Sequence, residues 1–483
     1  MKAFADMRWA GRVLSVVALA CVLCVGVLVT AAPALAADPS GAETLADNPS
    51  APIDYVWIII AAALVFIMQG GFAMLTAGLC RAKNVVNLMM KNLMDFAIGS
   101  LAFFTVGFAL MFGADKSGLF GTTGWFLTGE TYDVGQYLLF LFQVMFAATS
   151  ATIVAGAVAE RLKVKAYFLY AIAICALIYP VYGHWVWGGG WLSALPYGLG
   201  HVDFAGSGVV HAVGGFMGLA GAIVLGPRIG KFDLKGKARA IPGHSMVLAA
   251  LGVFILWFGW YGFNAGSTLS ASELRTAVIA VNTTLAASAG AVSSLVVIYA
   301  KTKKLDVGMA LNGAIAGLVA ITAPCAWVEA WAAVVIGLIA GVIVVFGVLF
   351  FDRIRVDDPV GAVSVHGLNG VWGLLAVGLF ADGTYGNYTT EGPFVTGLFY
   401  GGGVEQLIAQ AIGAVVVVAW AFGLGLILFK ILDVILGGIR VSAQEEIAGL
   451  DIGEHGSSAY PNFTVVEDIP YLMSSSVEKD GGN

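Results

Sequence analysis

Two histidines stand in matched surroundings 155 residues apart. His211 closes the stretch Asp203-Phe-Ala-Gly-Ser-Gly-Val-Val-His211, and His366 closes Asp358-Pro-Val-Gly-Ala-Val-Ser-Val-His366. Both follow the pattern D-x-x-G-x-x-x-x-H-x-x-x-G-x-x-G-L, with Gly206, Gly215, Gly218 and Leu219 in the first copy and Gly361, Gly370, Gly373 and Leu374 in the second. Each imidazole falls inside a long apolar run, where it needs a partner or a cavity. Each could bond separately to a backbone carbonyl. The two could instead bond to each other and line a narrow pore, where imidazole can hold a small polar solute or relay a proton. A metal site is disfavoured, because two histidines are too few ligands and no acid or cysteine clusters with them. Asp203 and Asp358 read mainly as helix caps that accept from free amides. Asp203 could also shape a cation site without touching the ion.

A second set is aromatic. His184-Trp185-Val186-Trp187-Gly188-Gly189-Gly190-Trp191 ends one apolar run, Phe142 and Phe146 are i, i+4 neighbours in another, and Trp257 to Ser267 ends a third. Such rings usually anchor a helix at a membrane interface or fill a core. A few could form a cation–π cage capped by the Ser267 hydroxyl, with the triple glycine turning one indole toward it.

The elements that must position these residues are membrane helices. The 483 residues are 59% hydrophobic and only 11% charged, with a mean hydropathy of +0.89. A soluble domain carries far more charge, and a β-barrel would show short alternating segments. The expected fold class is therefore an all-α polytopic membrane protein. Eleven spans are expected, at about 54–79, 88–113, 136–159, 166–187, 208–226, 246–266, 276–300, 308–326, 330–351, 360–381 and 404–434. Residues 1–36 read as a cleaved secretory signal peptide: Lys2, Arg8 and Arg12 precede an apolar core, and Ala34-Leu35-Ala36 follows it. Residues 37–434 then form the membrane domain, and 435–483 a tail.

Positive charge sets the orientation. One set of loops carries Arg81, Lys83 and Lys91; Arg161, Lys163 and Lys165; Arg228, Lys231, Lys235, Lys237 and Arg239; Lys301, Lys303 and Lys304; and Arg353 and Arg355. The alternate set offers Lys116 and Arg275. The mature N-terminus is thus expected outside and the C-terminus in the cytoplasm. Spans one to five and six to ten become two halves, the second inverted because five is odd. Such inverted repeats place their site near the midplane, and here a pseudo-twofold axis would bring His211 and His366 together. The eleventh span is unpaired and expected on the outside of the bundle. Cys80, Cys175 and Cys325 have no metal-type spacing and read as packing residues. The net charge of −6 implies no nucleic-acid partner. No nucleotide-binding loop, and no nucleophile with its base, points to an enzyme or an energy-coupled pump, and no cofactor is expected.

Taken together, these motifs resemble the ammonium transporter family, which includes the Rhesus proteins. The resemblance rests on Asp203 to His211 continued to Gly226-Pro-Arg228, and on Gly71 to Asn84. It rests also on Phe142 to Phe146 with Ala159-Glu-Arg161, Val186-Trp-Gly-Gly-Gly190, Gly262-Phe-Asn-Ala-Gly-Ser267, Asp357 to His366, and the tail motif Gly449 to Tyr460. The tail favours the bacterial and plant type. The resemblance implies a homotrimer with one pore per subunit in a cell membrane, taking ammonium or ammonia and methylammonium. It implies that His211 and His366 are paired pore histidines. Phe146, Trp187 and Ser267 match an external ammonium site supported structurally by Asp203, and Phe146 with Phe263 matches a gate. It also suggests a PII-type signalling protein at the cytoplasmic face. A membrane ammonium sensor with little transport and a neutral gas channel are the alternative readings.

Overall fold

The computed structural model describes residues 37–461, so the expected signal peptide and the end of the tail lie outside the described residues. Among the described residues, ten helices are long and apolar enough to cross a membrane: Ala51–Leu79, Ala82–Phe112, Val134–Ala157, Val164–Trp187, Ser207–Leu225, Met246–Thr268, Thr276–Thr302, Ala330–Arg353, Val363–Phe380 and Glu405–Ile435. A shorter apolar helix, Val307–Thr322, takes the eighth position. Together these are the eleven expected spans. The short span ends in buried turns, where the strand of chain before the fifth span completes its hydrogen bonding. Phe204 and Ala205 donate N–H groups to the Ala323 and Thr322 carbonyls, and Ser207 Oγ accepts from Ala323 N at 2.7 Å. Non-helical backbone at membrane depth is tolerable only when satisfied within the protein in this way.

The repeat is visible as contacts. A Cβ added at Gly215 would lie 2.2 Å from the Gly367 nitrogen, and one added at Gly370 would lie 2.9 Å from the Ala212 nitrogen. Adding the repeat offset to one member of the first pair, and subtracting it from the other, gives the second pair. The fifth and tenth spans therefore cross antiparallel about a pseudo-twofold axis, backbone against backbone, which requires the paired glycines. The first and sixth spans cross likewise: Gly78 meets Ala249, Gly71 meets Gly252 and Leu256, and Gly262 meets Ala61 and Leu64. The eleventh span packs against the fifth and tenth, with Gly425 on Met217 and Ala220.

Both histidine copies open on the same local device. The glycine three residues after each acid has a left-handed backbone, Gly206 at φ 108° and Gly361 at φ 80°, and a π-helical turn follows, Ser207–Ala212 and Val363–Leu368. A π turn widens the helix and re-aims its side chains. The Asp203 carboxylate accepts from the amides of Gly206, Ser207, Gly208 and Val209 at 2.8–3.0 Å. Asp358 accepts from Ala362 and Val363. The acids stand at opposite ends of the bundle and the histidines meet between them.

The two faces of the bundle differ. On the aromatic face, where the second and fourth spans end, lie two short hairpins, Asp115–Lys116 with Phe120–Gly121 and Asp382–Gly386 with Phe394–Thr396. On the opposite, basic face, buried ion pairs tie four loops together. Glu160 accepts from Arg81 Nε and Arg228 Nη1, and Arg228 grips both oxygens of Asp357 at 2.9 and 3.0 Å. The tail docks here as two short helices, Ala443–Ala448 with a Ser442–Glu445 capping box and Leu450–His455. Glu446 accepts from Ile229 N and pairs with Arg440, and Asp451 accepts from Asn87 N. One sequence expectation is corrected. Lys91 is not a loop cation: it lies inside the second span at 1% exposure, because the helix continues from Val85 without a break.

Candidate functional site

A cavity of about 330 Å³ opens on the aromatic face, lined among others by Phe142, Gln143, Phe146, Trp187, Asp203, Ser267 and Tyr388. Trp187 is the last residue of the fourth span, and Gly189, at φ 81°, turns the chain away immediately after it. The Trp187 indole N–H donates to the Asp203 carbonyl at 2.7 Å, so the indole offers the cavity its ring and no free donor. Ser267 Oγ donates to the Phe263 carbonyl at 2.7 Å, which leaves its lone pairs as acceptors. Phe146 lies 6.2 Å from Trp187, edge to face. The cavity wall thus presents π faces and oxygen acceptors, a combination suited to a small cation with N–H donors. Asp203 lines the cavity, but its carboxylate is committed to the four amides at the start of the fifth span and is not offered to the ion.

The floor of the cavity is shut. Phe146 and Phe263 stack with ring centroids 4.1 Å apart. Directly beneath, His211 stacks on Phe263 at 5.3 Å and on Trp260 at 5.1 Å. His211 and His366 face each other, with Nδ1 to Nδ1 at 3.2 Å. One Nδ1 must donate and the other accept. A neutral pair therefore has one bare Nε2 and one Nε2–H, one acceptor and one donor. A single added proton can sit on the bare Nε2 without breaking the bond between the rings. His211 Nε2 has no partner among the described residues.

Below His366 a small cavity of about 20 Å³ is lined by Phe72, Thr76, Thr152, Ile153, Asn312 and Val365, among others. A larger one of about 360 Å³ opens on the basic face beside Arg228, Asp352, Asp358 and Ser364. Two funnels thus approach a closed, largely apolar waist that contains the histidine pair. The residues expected to form the ammonium site, the gate and the pore lie on this one path: Trp187, Ser267, Asp203 and Phe146 at the aromatic funnel, Phe146 and Phe263 across its floor, and His211 and His366 at the waist.

Other groups on the path were not picked out. Gln143 lines the aromatic cavity with its Oε1 buried and unpartnered among the described residues, an acceptor with nothing yet to accept. Its place one turn from Phe146 in the third span was the available signal. Trp260 is fixed over His211 by its N–H bond to Thr322 Oγ1 at 2.9 Å, but one Trp among several gives no sequence signal. Tyr388 comes from the loop after the tenth span, stacks on Phe204 at 4.9 Å and donates to the Phe204 carbonyl.

The model of the Ammonium Transporter Family matches residues 56–460. The chain is 57% identical to Ammonium transporter Amt2 of Archaeoglobus fulgidus, over 95% of this chain and 99% of that protein. It is 43% identical to a putative ammonium transporter of Synechocystis sp., over 84% and 89% of the two chains. Among solved structures it resembles one titled Sensor Amt Protein, with a TM-score of 0.77, 40% identity and coverage of 85% of this chain and 100% of that one. It also resembles Candida albicans Mep2, with a TM-score of 0.75, 33% identity and coverage of 85% and 90%. The chain is a multi-pass membrane protein and belongs to the ammonium transporter family.

Proposed function

We propose that the protein recruits ammonium at the aromatic cavity, separates its proton and passes neutral ammonia along the histidine pair, with the proton carried separately. The observation that carries this reading is the bonded His211–His366 pair directly under the stacked Phe146–Phe263 rings. Trp187 and Phe146 present ring faces to the cation, while Ser267 Oγ and Gln143 Oε1 accept its N–H groups. These contacts offset part of the cost of stripping water from the ion. The waist below is too apolar for a bare cation, and losing the proton removes that cost. Potassium has no proton to lose, so selectivity follows from chemistry as well as size. Ammonia both donates and accepts, matching the one donor and one acceptor of the neutral imidazole pair. The stacked rings must part for passage.

In this reading the aromatic face is outside the cell and the basic face is cytoplasmic, as the loop cations indicate. Residues 1–36 act as a cleaved signal peptide, and the protein works as a homotrimer in the cell membrane with a pore in each subunit. Methylammonium uptake into proteoliposomes, with current recorded in parallel, tests the site. Trp187→Ala combined with Ser267→Ala should raise the half-saturating concentration about tenfold, the equivalent of about 1.4 kcal/mol of lost recruitment. A neutral gas channel would show uptake indifferent to both substitutions.

The resemblance to a solved structure titled as a sensor keeps a signalling role as a second reading. The docked tail and the basic loops suit a PII-type signalling protein on the cytoplasmic face. Retention of that protein by the full chain at one ammonium level, and its loss on deleting residues 445–483, is the expected pull-down result. Equal retention by the truncated chain removes the tail from the contact.

A further inference from the structure

The second span carries a polar face that the pore does not use. Asn84, Asn87, Lys91, Asn92 and Asp95 are all buried; a spacing of three and four residues puts Asn84, Asn87, Lys91 and Asp95 on one side of the helix, with Asn92 at its edge, three residues before Asp95. The face begins at the tail, where Asn84 Oδ1 accepts from Leu450 N and Asn87 N donates to Asp451. Asp95 lies about 16 Å deeper along the axis, at 1.5 Å per residue. Lys91, between them, donates to the Leu162 carbonyl at 2.8 Å and lies 5.6 Å from the centre of the Tyr167 ring.

At the deep end, Tyr167 OH donates to Asp95 Oδ2. Thr152 of the third span stands beside the same carboxylate, and its Oγ1 donates to Gln69 Oε1 of the first span at 2.9 Å. Thr152 also lines the small cavity below His366. The polar face therefore runs from the basic side of the molecule to the wall of the pore. Five buried atoms on or beside this face, Asn84 Nδ2, Asn87 Oδ1, Asn92 Oδ1, Asp95 Oδ1 and Gln69 Nε2, have no partner among the described residues. A cluster kept only for packing would pair them, because an unpaired polar atom at this depth is expensive. Ionisable residues in a membrane interior are rare and costly and mark ion or proton paths as the default reading.

We propose that Asp95 is a proton-holding site on a branch that leaves the pore below His366 and reaches the basic face past Lys91. This rests on the reading that ammonium gives up its proton on the way through. The carboxylate takes up one proton at Oδ1, its free oxygen, and becomes a neutral acid while Oδ2 keeps its bond from Tyr167. It returns to carboxylate by giving that proton to solvent at the basic face. Tyr167 keeps its own proton throughout. The titratable groups facing Asp95 are Tyr167, Tyr170 and Cys175 of the fourth span and Lys91 of its own span. The first and third spans bring Gln69 and Thr152, which do not titrate. Glu454 and His455 of the tail stand at the mouth of the branch, on Asn87.

The test uses the full chain in proteoliposomes. Charge moved by an ammonium step is measured beside uptake of labelled methylammonium, for wild type, Asp95→Asn, Asp95→Glu, Tyr167→Phe and the His211→Ala/His366→Ala pair. Asp95→Asn should lower the charge moved per labelled molecule at least fivefold, and Asp95→Glu should restore it. Tyr167→Phe, which leaves the carboxyl in place but frees Oδ2, should lower the ratio at least twofold and decides the matter if Asp95→Asn does not assemble. An unchanged ratio in a folded Asp95→Asn protein overturns the branch, as does a parallel loss of charge and label. If the ratio is unchanged in Asp95→Asn while the histidine pair variant loses selectivity, only the branch fails. If the histidine variant is also unaffected, the reading beneath it fails as well.

Discussion

In a His211→Ala/His366→Ala variant, potassium exclusion should fall by about an order of magnitude or more, and ammonium-driven charge should lose its dependence on deprotonation. The two rings fill the waist between Trp260, Phe263 and Phe72. Removing both takes away the bonded imidazole pair of the waist and leaves a wider, wetter passage. A hydrated waist no longer makes a cation pay the full desolvation cost, so ammonium and potassium can both cross as ions. Competition of potassium with ammonium currents, measured on the same proteoliposomes before and after substitution, is the readout. Full potassium exclusion with wild-type currents in the double variant sinks the histidine mechanism. A single substitution should be milder, because one imidazole still offers a donor and an acceptor.

Much of this site was legible because it is written twice. The repeat fixed which two histidines belong together, and an odd number of spans per half required the second copy to be inverted. The glycines in the pattern then proved to be the crossing points, Gly215 on Gly367 and Gly370 on Ala212. The pattern also hides something: a turn of π helix follows the first glycine of each copy, Gly206 and Gly361, and nothing in apolar periodicity distinguishes that turn from α helix. Trp260 and Tyr388 are not legible because their roles depend on partners far along the chain, whereas Gln143 has an unpartnered oxygen and only its place beside Phe146 marks it. Trp260 is placed over His211 by Thr322, and Tyr388 by Phe204. Lys91 was misplaced for a related reason. A lysine near a span end usually snorkels to the interface, and only the Leu162 carbonyl and the Tyr167 ring, both from the opposite hairpin, explain why this one stays inside.

Substituting Arg228 with Gln should be the most destabilising change on the basic face, about 3–5 kcal/mol by analogy with other broken buried pairs. Arg228 is nearly fully buried and serves two carboxylates, Glu160 and Asp357. Burial alone would raise the Asp357 pKa, but the Arg228 hydrogen bonds and charge, with Arg161 nearby, outweigh it and hold the group down at about 2. Glu160 is held below its usual value in the same way, burial being outweighed by Arg81 and Arg228. Because both folded values lie below the ordinary carboxylate values, the pairs stabilise the protein fully above the ordinary range, and that contribution is lost as pH falls toward about 2. Without Arg228, Asp357 loses its guanidinium partner and Glu160 keeps only Arg81, so acid lability should begin at a pH at least about one unit higher than in wild type. Thermal melting of the purified protein in detergent across that range measures both effects. The Arg228→Gln/Asp357→Asn pair should melt above Arg228→Gln alone, since it removes one of the stranded charges, and this non-additivity separates a lost ion pair from a lost side chain. A double variant no more stable than the single one assigns the damage to packing. Arg228 also joins the loop before the sixth span to the acid that precedes the tenth, and the adjacent Ile229 amide is held by Glu446 of the tail. The same substitution should therefore loosen the docked tail, making the segment from Ala443 to His455 more accessible to protease at neutral pH.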